Sequence, residues 1–431
     1  MATVAPALSL RSNLAFGLFG NVIFAITQWA IVAVVARLGT PEEVGAVTIA
    51  TALATPLFML AAMSMREGHS VDDLTEFGRD DYFALQFFNG LFAAAVVLAL
   101  VAILYSDAGT LVQTSTIAFT LVKFVGNQAN MHFGIFQREQ RLDFIAIAYI
   151  TRGIAGLAAF GVVFWATGVL WQAFCAEALA WLLVLLTVDR RLLARLDVTG
   201  RLTGIFRADP RKLMRLFLWM APLGIAGFLT NASASAPRLV LDRYVDLAAV
   251  GVFGAITYIG TASQQVINSI GSASASRLRR LVRTGNSRGF MKLSAKLVAL
   301  SGGLGVLLVI AVAFAGEAIL TILYGADYAN VTLFGIVAVY IALRMAFAPL
   351  QFSLSAGHAY WNRLFVSAAG FVATLGVALA LVPRMGAEGA AWALVAGAVM
   401  RTLLLLVFFR RLALSVGQAA AVGDVAAGER A

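Results

Sequence analysis

The sequence predicts an all-α membrane protein with about twelve transmembrane helices, and three observations support this fold class. Of the 431 residues, 61% are hydrophobic and only 13% are charged, whereas a soluble domain is about one quarter charged. The apolar residues form runs of about twenty, the length of helix that crosses the hydrocarbon core. The net charge of +10 is concentrated in short stretches between these runs. That pattern is typical of loops on one side of a membrane, and it argues against a nucleic-acid partner.

Twelve apolar segments account for the helix count, and they form two sets of six. The first set covers residues 13–36, 44–64, 82–105, 111–134, 144–166 and 169–188. The second set covers residues 214–236, 247–270, 297–315, 330–350, 363–383 and 388–409. Residues 232–235 and 257–276 are small or polar. We therefore expect these parts of the seventh and eighth spans to face a hydrated interior rather than lipid.

The longest segment between spans divides the chain into two parts. The predicted domains are an N-terminal six-helix lobe (1–189), a cytoplasmic interfacial linker (190–213), a C-terminal six-helix lobe (214–412) and a cytoplasmic tail (413–431). Basic residues cluster in the linker and after the eighth span, and few lie on the opposite side. Because basic loops stay in the cytoplasm, both termini are predicted to be cytoplasmic. The linker also carries leucines among its basic residues, which favours contact with anionic head groups of membrane lipids.

The two lobes are predicted to be parallel repeats. Arg37, Gly45 and Thr51 recur at one constant offset, as Arg243, Gly251 and Thr257. Each half has an even number of spans, so the pseudo-axis that relates the halves runs along the membrane normal. Two parallel lobes that flank a central cleft are the architecture of an alternating-access transporter.

Charged side chains lie well inside five predicted spans, and they are Lys123, Arg152, Glu177, Arg344 and Arg401. A charge at this depth costs at least about 3 kcal/mol unless it faces water or a partner. These residues therefore predict a hydrated interior. We expect the four cations to bind the head group of an anionic ligand, because a guanidinium can hold phosphate oxygens through two parallel hydrogen bonds.

Polar side chains indicate which helix faces line this interior. The fourth span carries a stripe formed by Thr116, Thr120, Lys123, Asn127 and Asn130. Steps of three and four residues keep such a stripe on one face of a helix. The first span carries a sparser stripe formed by Asn13, Asn21 and Gln28. Amides and hydroxyls beside fixed cations suit a ligand that is both anionic and rich in hydroxyl groups.

Simpler interpretations remain open for several of these residues. Arg344 and Arg401 lie in the cytoplasmic portions of their spans, from which either side chain can extend to the head groups. Arg152 can form a structural ion pair with Glu177 on the adjacent span. Glu177 is alternatively a coupling site for a proton or sodium ion. Lys123 is the hardest to explain structurally, because it lies mid-span on the polar stripe.

The sequence predicts no metal site and no cofactor. The histidines at positions 69, 132 and 358 are widely separated, and Cys175 lies alone within an apolar run. Neither a phosphate-binding loop nor a nucleophile motif occurs. We therefore predict a transporter and not an enzyme.

Five segments resemble bacterial polysaccharide flippases of the multidrug/oligosaccharidyl-lipid/polysaccharide exporter superfamily. They are residues 37–45 (RLGTPEEVG), 133–143 (FGIFQREQRLD), 236–238 with 250–253 (APR and VGVF), 319–329 (ILTILYGADYA) and 386–391 (GAEGAA). The segments occur in the family's order and cover almost the whole chain. The resemblance implies two six-helix lobes that form a V-shaped central cleft.

The resemblance also implies a function. Such proteins move undecaprenyl-pyrophosphate-linked oligosaccharide units across the bacterial inner membrane for lipopolysaccharide, capsule or exopolysaccharide. The expected partners are this lipid-linked oligosaccharide and membrane lipids, with the polymerase or ligase machinery of the pathway as a candidate protein partner. One alternative is a multidrug extrusion antiporter of the same superfamily, although its cleft would be acidic and aromatic. Another is an integral-membrane polysaccharide polymerase or ligase, which would need a large outer loop that this sequence lacks.

Overall fold

The computed structural model of the protein describes residues 10–71, 76–106, 109–196, 208–356 and 360–428. These residues are helical, with no strand among them, so the predicted all-α class is confirmed. Residues 197–207 of the predicted linker and His358 lie outside the described ranges.

Fourteen α-helices are described. They are α1 (Leu10–Leu38), α2 (Pro41–Ala62), α3 (Met65–Val71), α4 (Arg79–Leu104), α5 (Thr110–Arg138), α6 (Leu142–Thr167), α7 (Leu170–Val184), α8 (Arg190–Ala194), α9 (Pro210–Tyr244), α10 (Leu247–Tyr258), α11 (Gly260–Arg283), α12 (Ser287–Leu323), α13 (Val331–Ala356) and α14 (Tyr360–Gly428).

The helices match the twelve predicted spans. In the described part of the chain, nine helices are long and apolar enough to cross a membrane. One of them, α14, bends sharply at Gly386, whose φ of 56° suits glycine. Its two arms therefore supply the eleventh and twelfth spans. The fourth span is α5, and its polar stripe makes it less apolar than the nine. The eighth span is divided between α10 and α11 at Ile259.

Helix α7 does not end where the sixth predicted span ends. It continues through a π-helical turn, Leu185–Asp189, into α8. A π turn holds an additional residue and so changes the direction in which the following side chains point. Here it leaves Asp189 completely buried.

The chain forms two compact units. Unit 1 is Met1–Tyr258 and unit 2 is Ile259–Ala431. Unit 1 thus includes α9 and α10, which pack against α2, and unit 2 comprises α11 to α14. The domain boundaries predicted at residues 189 and 214 stay a prediction.

Within unit 1, α2 and α10 make a reciprocal close contact. A side chain at Gly45 would collide with the carbonyl oxygen of Leu247, and one at Gly251 would collide with that of Pro41. Gly251 and Leu247 follow Gly45 and Pro41 at the offset of the sequence repeat. The glycine of each helix therefore packs against the equivalent backbone carbonyl of the other helix. Such a reciprocal contact is expected where two equivalent elements meet across a two-fold axis. The contact agrees with the predicted parallel repeat.

Candidate functional site

Arg152 forms a buried ion pair in unit 1. It lies on α6 with only 2% of its surface exposed, and its Nη2 is 2.6 Å from Oδ2 of Asp189. The guanidinium carbon also lies 5.1 Å from the ring centroid of Phe133 and 5.7 Å from that of Trp181. The partner is Asp189, and not Glu177 as the alternative interpretation had it. The positive charge of Arg152 is therefore compensated within the protein.

Asp189 was missed by the sequence reasoning. It is the last residue of the predicted N-terminal lobe, just after the sixth predicted span, and Arg190 and Arg191 of the basic linker follow it directly. The π-helical turn brings it inward, and His132 Nδ1 lies 3.7 Å from its Oδ2. The sequence did contain a signal for this ion pair. An isolated acidic residue, Asp189, directly follows the sixth span, and the neighbouring fifth span carries Arg152.

Glu177 lies at a second polar centre of unit 1. It is 1% exposed, and its Oε1 accepts a hydrogen bond of 3.4 Å from Nε2 of Gln28. The charges of Glu177 and Lys123 attract each other. Lys123 is partly buried, with its Nζ 5.0 Å from the ring centroid of Phe119. The structure thus places a carboxyl group near the mid-span lysine.

The predicted polar stripe faces other helices of unit 1 along much of its length. Thr116, Thr120 and Asn127 are at most 4% exposed. The Asn127 Oδ1 accepts a hydrogen bond of 2.6 Å from Nε2 of Gln86, which joins α5 to α4. On α1, Asn21 is partly buried and donates to the carbonyl of its own helix. The role of the stripe in lining a cleft stays a prediction.

Unit 2 brings two of the predicted cations together. Arg344 lies near the middle of α13, where its Nη2 donates to the carbonyl oxygen of Gly260 at 3.0 Å and its Nη1 donates to the hydroxyl of Tyr340 at 3.4 Å. Arg401 lies on the second arm of α14, and its side chain runs against Gly370 on the first arm. The two guanidinium charges are close enough to repel each other.

Among the residues that the structure describes, neither arginine has an acidic partner. Over the described ranges, no carboxylate lies within 4.0 Å of Arg344 or Arg401. The Nε of Arg344 and both Nε and Nη2 of Arg401 are buried without a hydrogen-bond acceptor. These nitrogens are enclosed by protein atoms. Because buried donors normally have partners, the pair has the properties of a site for an anion.

The packing of unit 2 fixes the two arginines relative to each other. A cluster of Leu350, Leu354, Val366 and Leu405 packs α13 against both arms of α14. Arg344 and Arg401 therefore project from helices whose spacing is set by a common apolar core. As for metals, the described residues contain no group of three or more His, Cys, Asp or Glu side chains that could hold an ion.

Comparisons with known proteins address the fold. No family model matches the sequence. The chain is 22% identical over 317 residues to the capsular polysaccharide biosynthesis protein CapF of Staphylococcus aureus, an alignment that covers 73% of this chain and 78% of CapF.

Solved structures of transporters are similar over nearly the whole chain. An inward-facing multidrug resistance MATE family transporter of the MOP superfamily superposes with a TM-score of 0.70, at 13% identity and 97% coverage of both chains. An outward-facing conformation of such a transporter gives a TM-score of 0.67, at 14% identity and 94% and 96% coverage. The eukaryotic MATE transporter AtDTX14 gives 0.65, at 11% identity and 95% and 98% coverage.

These likenesses confirm the multi-pass membrane architecture that the sequence predicted. At such low identities the superpositions establish the fold and leave the substrate open. The chain thus has the fold of these MATE transporters, in agreement with the fold that the resemblance of its sequence motifs implied.

Proposed function

We propose that this protein is a flippase for polyprenyl-diphosphate-linked oligosaccharides, which it moves across the bacterial inner membrane for surface polysaccharide biosynthesis. The observation that carries the proposal is the uncompensated pair of arginines, Arg344 and Arg401, in unit 2. The name of CapF, a capsular polysaccharide biosynthesis protein, supports the same class of pathway.

The arginine pair suits a diphosphate on electrostatic grounds. Two like charges in a partly buried site raise the energy of the empty protein, because the low dielectric strengthens their repulsion. A diphosphate carries negative charge on two adjacent groups and offers oxygens to both guanidinium groups. Charge-assisted hydrogen bonds of this kind are about twice as strong as neutral ones. Binding would therefore relieve repulsion and satisfy buried donors in one step.

A multidrug antiporter is the nearest alternative, since the similar solved structures are multidrug transporters. A site for cationic drugs needs an available carboxylate or an aromatic surface. The two buried acids described in unit 1 already have cationic neighbours, because Asp189 pairs with Arg152 and Glu177 faces Lys123. The arginine pair would repel a cationic drug. Charge thus favours an anionic substrate.

The other predicted residues take different roles in this proposal. Three residues of unit 1 stay candidates for polar contacts with the substrate, namely Lys123, Asn21 and Gln28. Arg152 acts through Asp189, as a positioning residue that holds α6 against the end of α7. Transport proceeds by alternating access, with the polyprenyl tail remaining in lipid.

The test is flipping of a fluorescent short-chain polyprenyl-diphosphate disaccharide by the purified protein in liposomes. We expect the double variant Arg344→Gln/Arg401→Gln to lose flipping, and the exposed Arg384→Gln to retain it. A cationic dye is supplied in parallel. Export of the dye by the wild-type protein without flipping of the lipid-linked sugar would establish the multidrug alternative instead.

A further inference from the structure

We propose that Arg344 is a specificity-determining residue that distinguishes a diphosphate from a monophosphate and, on binding the diphosphate, releases the first turn of α11 from α13. Arg401 is then the primary anion ligand, and Arg344 is recruited only by a second phosphate. The inference rests on the proposed function, since it assigns different tasks to the two arginines of the same site.

The two arginines differ in what they already bind. Arg401 has two buried nitrogens without a hydrogen-bond acceptor, so it is available to a ligand at once. Arg344 donates to the carbonyl of Gly260 at 3.0 Å and to the hydroxyl of Tyr340 at 3.4 Å. A ligand must draw Arg344 away from these neutral acceptors. The first negative group therefore binds at Arg401, where nothing has to be broken.

The Gly260 contact ties two helices together where one of them begins. Gly260 is the first residue of α11, directly after the break at Ile259 that separates it from α10. Arg344 and Ile341, one turn apart on α13, both contact this glycine, since a Cβ there would lie 3.3 Å from Cδ1 of Ile341. The Arg344 hydrogen bond thus adds a polar link to the apolar contact between α11 and α13.

Breaking this bond does not leave the carbonyl without a partner. The hydroxyl of Ser263 also donates to the Gly260 oxygen, at 2.6 Å, and Ser263 lies on α11 itself. When Arg344 leaves, the acceptor stays satisfied within its own helix while the link between helices is lost. Because a phosphate oxygen is a stronger acceptor than a neutral carbonyl, a second phosphate can replace the Gly260 carbonyl as the acceptor for Arg344.

In this arrangement, the number of phosphate groups on the ligand determines whether α11 stays attached to α13. A monophosphate satisfies Arg401 and leaves Arg344 on Gly260, so α11 stays attached to α13. A diphosphate engages both guanidinium groups and frees α11. The protein would thereby respond to the diphosphate-linked substrate and ignore a lipid that carries a single phosphate.

The first experiment measures binding of two probes, a short-chain prenyl diphosphate and the matching monophosphate, to the full chain in nanodiscs. Arg344→Gln should weaken diphosphate binding by about tenfold and change monophosphate binding by less than about twofold, because it removes one charge-assisted contact. Arg401→Gln should weaken both by about tenfold. Arg384→Gln, an equal charge change at an exposed position of α14, should change neither.

The second experiment follows α11 directly. Spin labels at the exposed positions Arg280 on α11 and Val339 on α13, in a Cys175→Ser background, report the distance between the helices. The diphosphate should shift this distance and the monophosphate should not. Arg344→Gln should show the shifted distance without any ligand, which a residue that only stabilises the fold would not produce.

The outcomes separate the inference from the function on which it rests. If the diphosphate does not bind the wild-type protein, the proposed function itself is wrong. If it binds but leaves the interspin distance unchanged, or if both probes shift it equally, the function stands and the role of Arg344 is overturned. Should Arg344→Gln fail to fold, Arg344→Lys keeps the charge without the two-pronged geometry, and it should bind both probes with nearly equal affinity.

Discussion

Arg152 in unit 1 and Arg401 in unit 2 are both arginines inside predicted spans, yet their charged neighbours have opposite sign. Arg152 has a carboxylate at 2.6 Å and two aromatic rings around its guanidinium. Arg401 has Arg344 as its charged neighbour and buried nitrogens without acceptors. The first environment stabilises the positive charge in the absence of a ligand. In the second, no described acidic side chain balances the charge, so an anionic ligand would stabilise it.

The difference shows how to interpret a cation inside a membrane span. Depth alone indicates that the charge must be accommodated, but not whether by a side chain or by a ligand. Lys123 lies between the two cases, because Glu177 attracts it without forming an ion pair within 4.0 Å in the described structure. Four experiments test the contrast between Arg152 and Arg401.

The largest expected effect is on folding. Arg152→Gln should lower the free energy of unfolding by about 3–5 kcal/mol, because it leaves Asp189 buried and unpaired. Arg401→Gln should leave it unchanged or raise it, since the change relieves repulsion. Reversible unfolding in mixed micelles measures both, and Arg152→Gln/Asp189→Asn should recover part of the loss. If both substitutions lowered the free energy of unfolding equally, the proposed difference between Arg152 and Arg401 would be wrong.

Ligand-induced stabilisation gives the next effect. A prenyl diphosphate at one hundred times its dissociation constant should stabilise the wild-type protein by about 2.7 kcal/mol, read as a rise in unfolding temperature. Arg344→Gln/Arg401→Gln should lose this rise. Glu177→Gln should keep it, because that residue belongs to unit 1. A rise that survives the double substitution would place the anion site elsewhere.

A double-mutant cycle on Lys123 and Glu177 tests the intermediate case. Lys123→Gln and Glu177→Gln should show an interaction energy of about 1 kcal/mol, since the two residues attract across the interior without direct contact. Unfolding of the two single variants and the double variant measures it. A value as large as that for Arg152 and Asp189 would mean that the lysine is fully compensated and unavailable to a ligand.

The smallest expected effect comes from an exposed pair of the same chemistry. Arg215 Nη1 lies 2.9 Å from Oε1 of Glu76, and both side chains are more than half exposed. Glu76→Gln should change the free energy of unfolding by less than about 0.5 kcal/mol, because water and salt screen such pairs. A larger change would show that burial does not explain the behaviour of Arg152.

Much of the fold followed from the sequence. Apolar runs of membrane-spanning length located the helices, and the offset between Gly45 and Gly251 indicated a repeat whose two copies the structure brings into contact. Charge placement identified Arg344 and Arg401 as unusual. These features depend on local composition and spacing, which a sequence displays directly.

The partners of the charged residues did not follow. The inward position of Asp189 depends on a π-helical turn, and Arg344 binds the carbonyl oxygen of Gly260 where α11 begins after Ile259. Neither local irregularity has a periodic signature. Backbone acceptors in particular are the same in every residue, so nothing in the sequence marks the one that a buried arginine will use.

The glycine contact between α2 and α10 also constrains how this protein can change over time. Because each half contributes both a glycine and the backbone that the glycine touches, a bulkier residue in either half damages a surface assembled from both. A substitution at Gly45 or Gly251 therefore has to be accommodated by the other segment as well, whereas substitutions on the faces directed away from this contact do not.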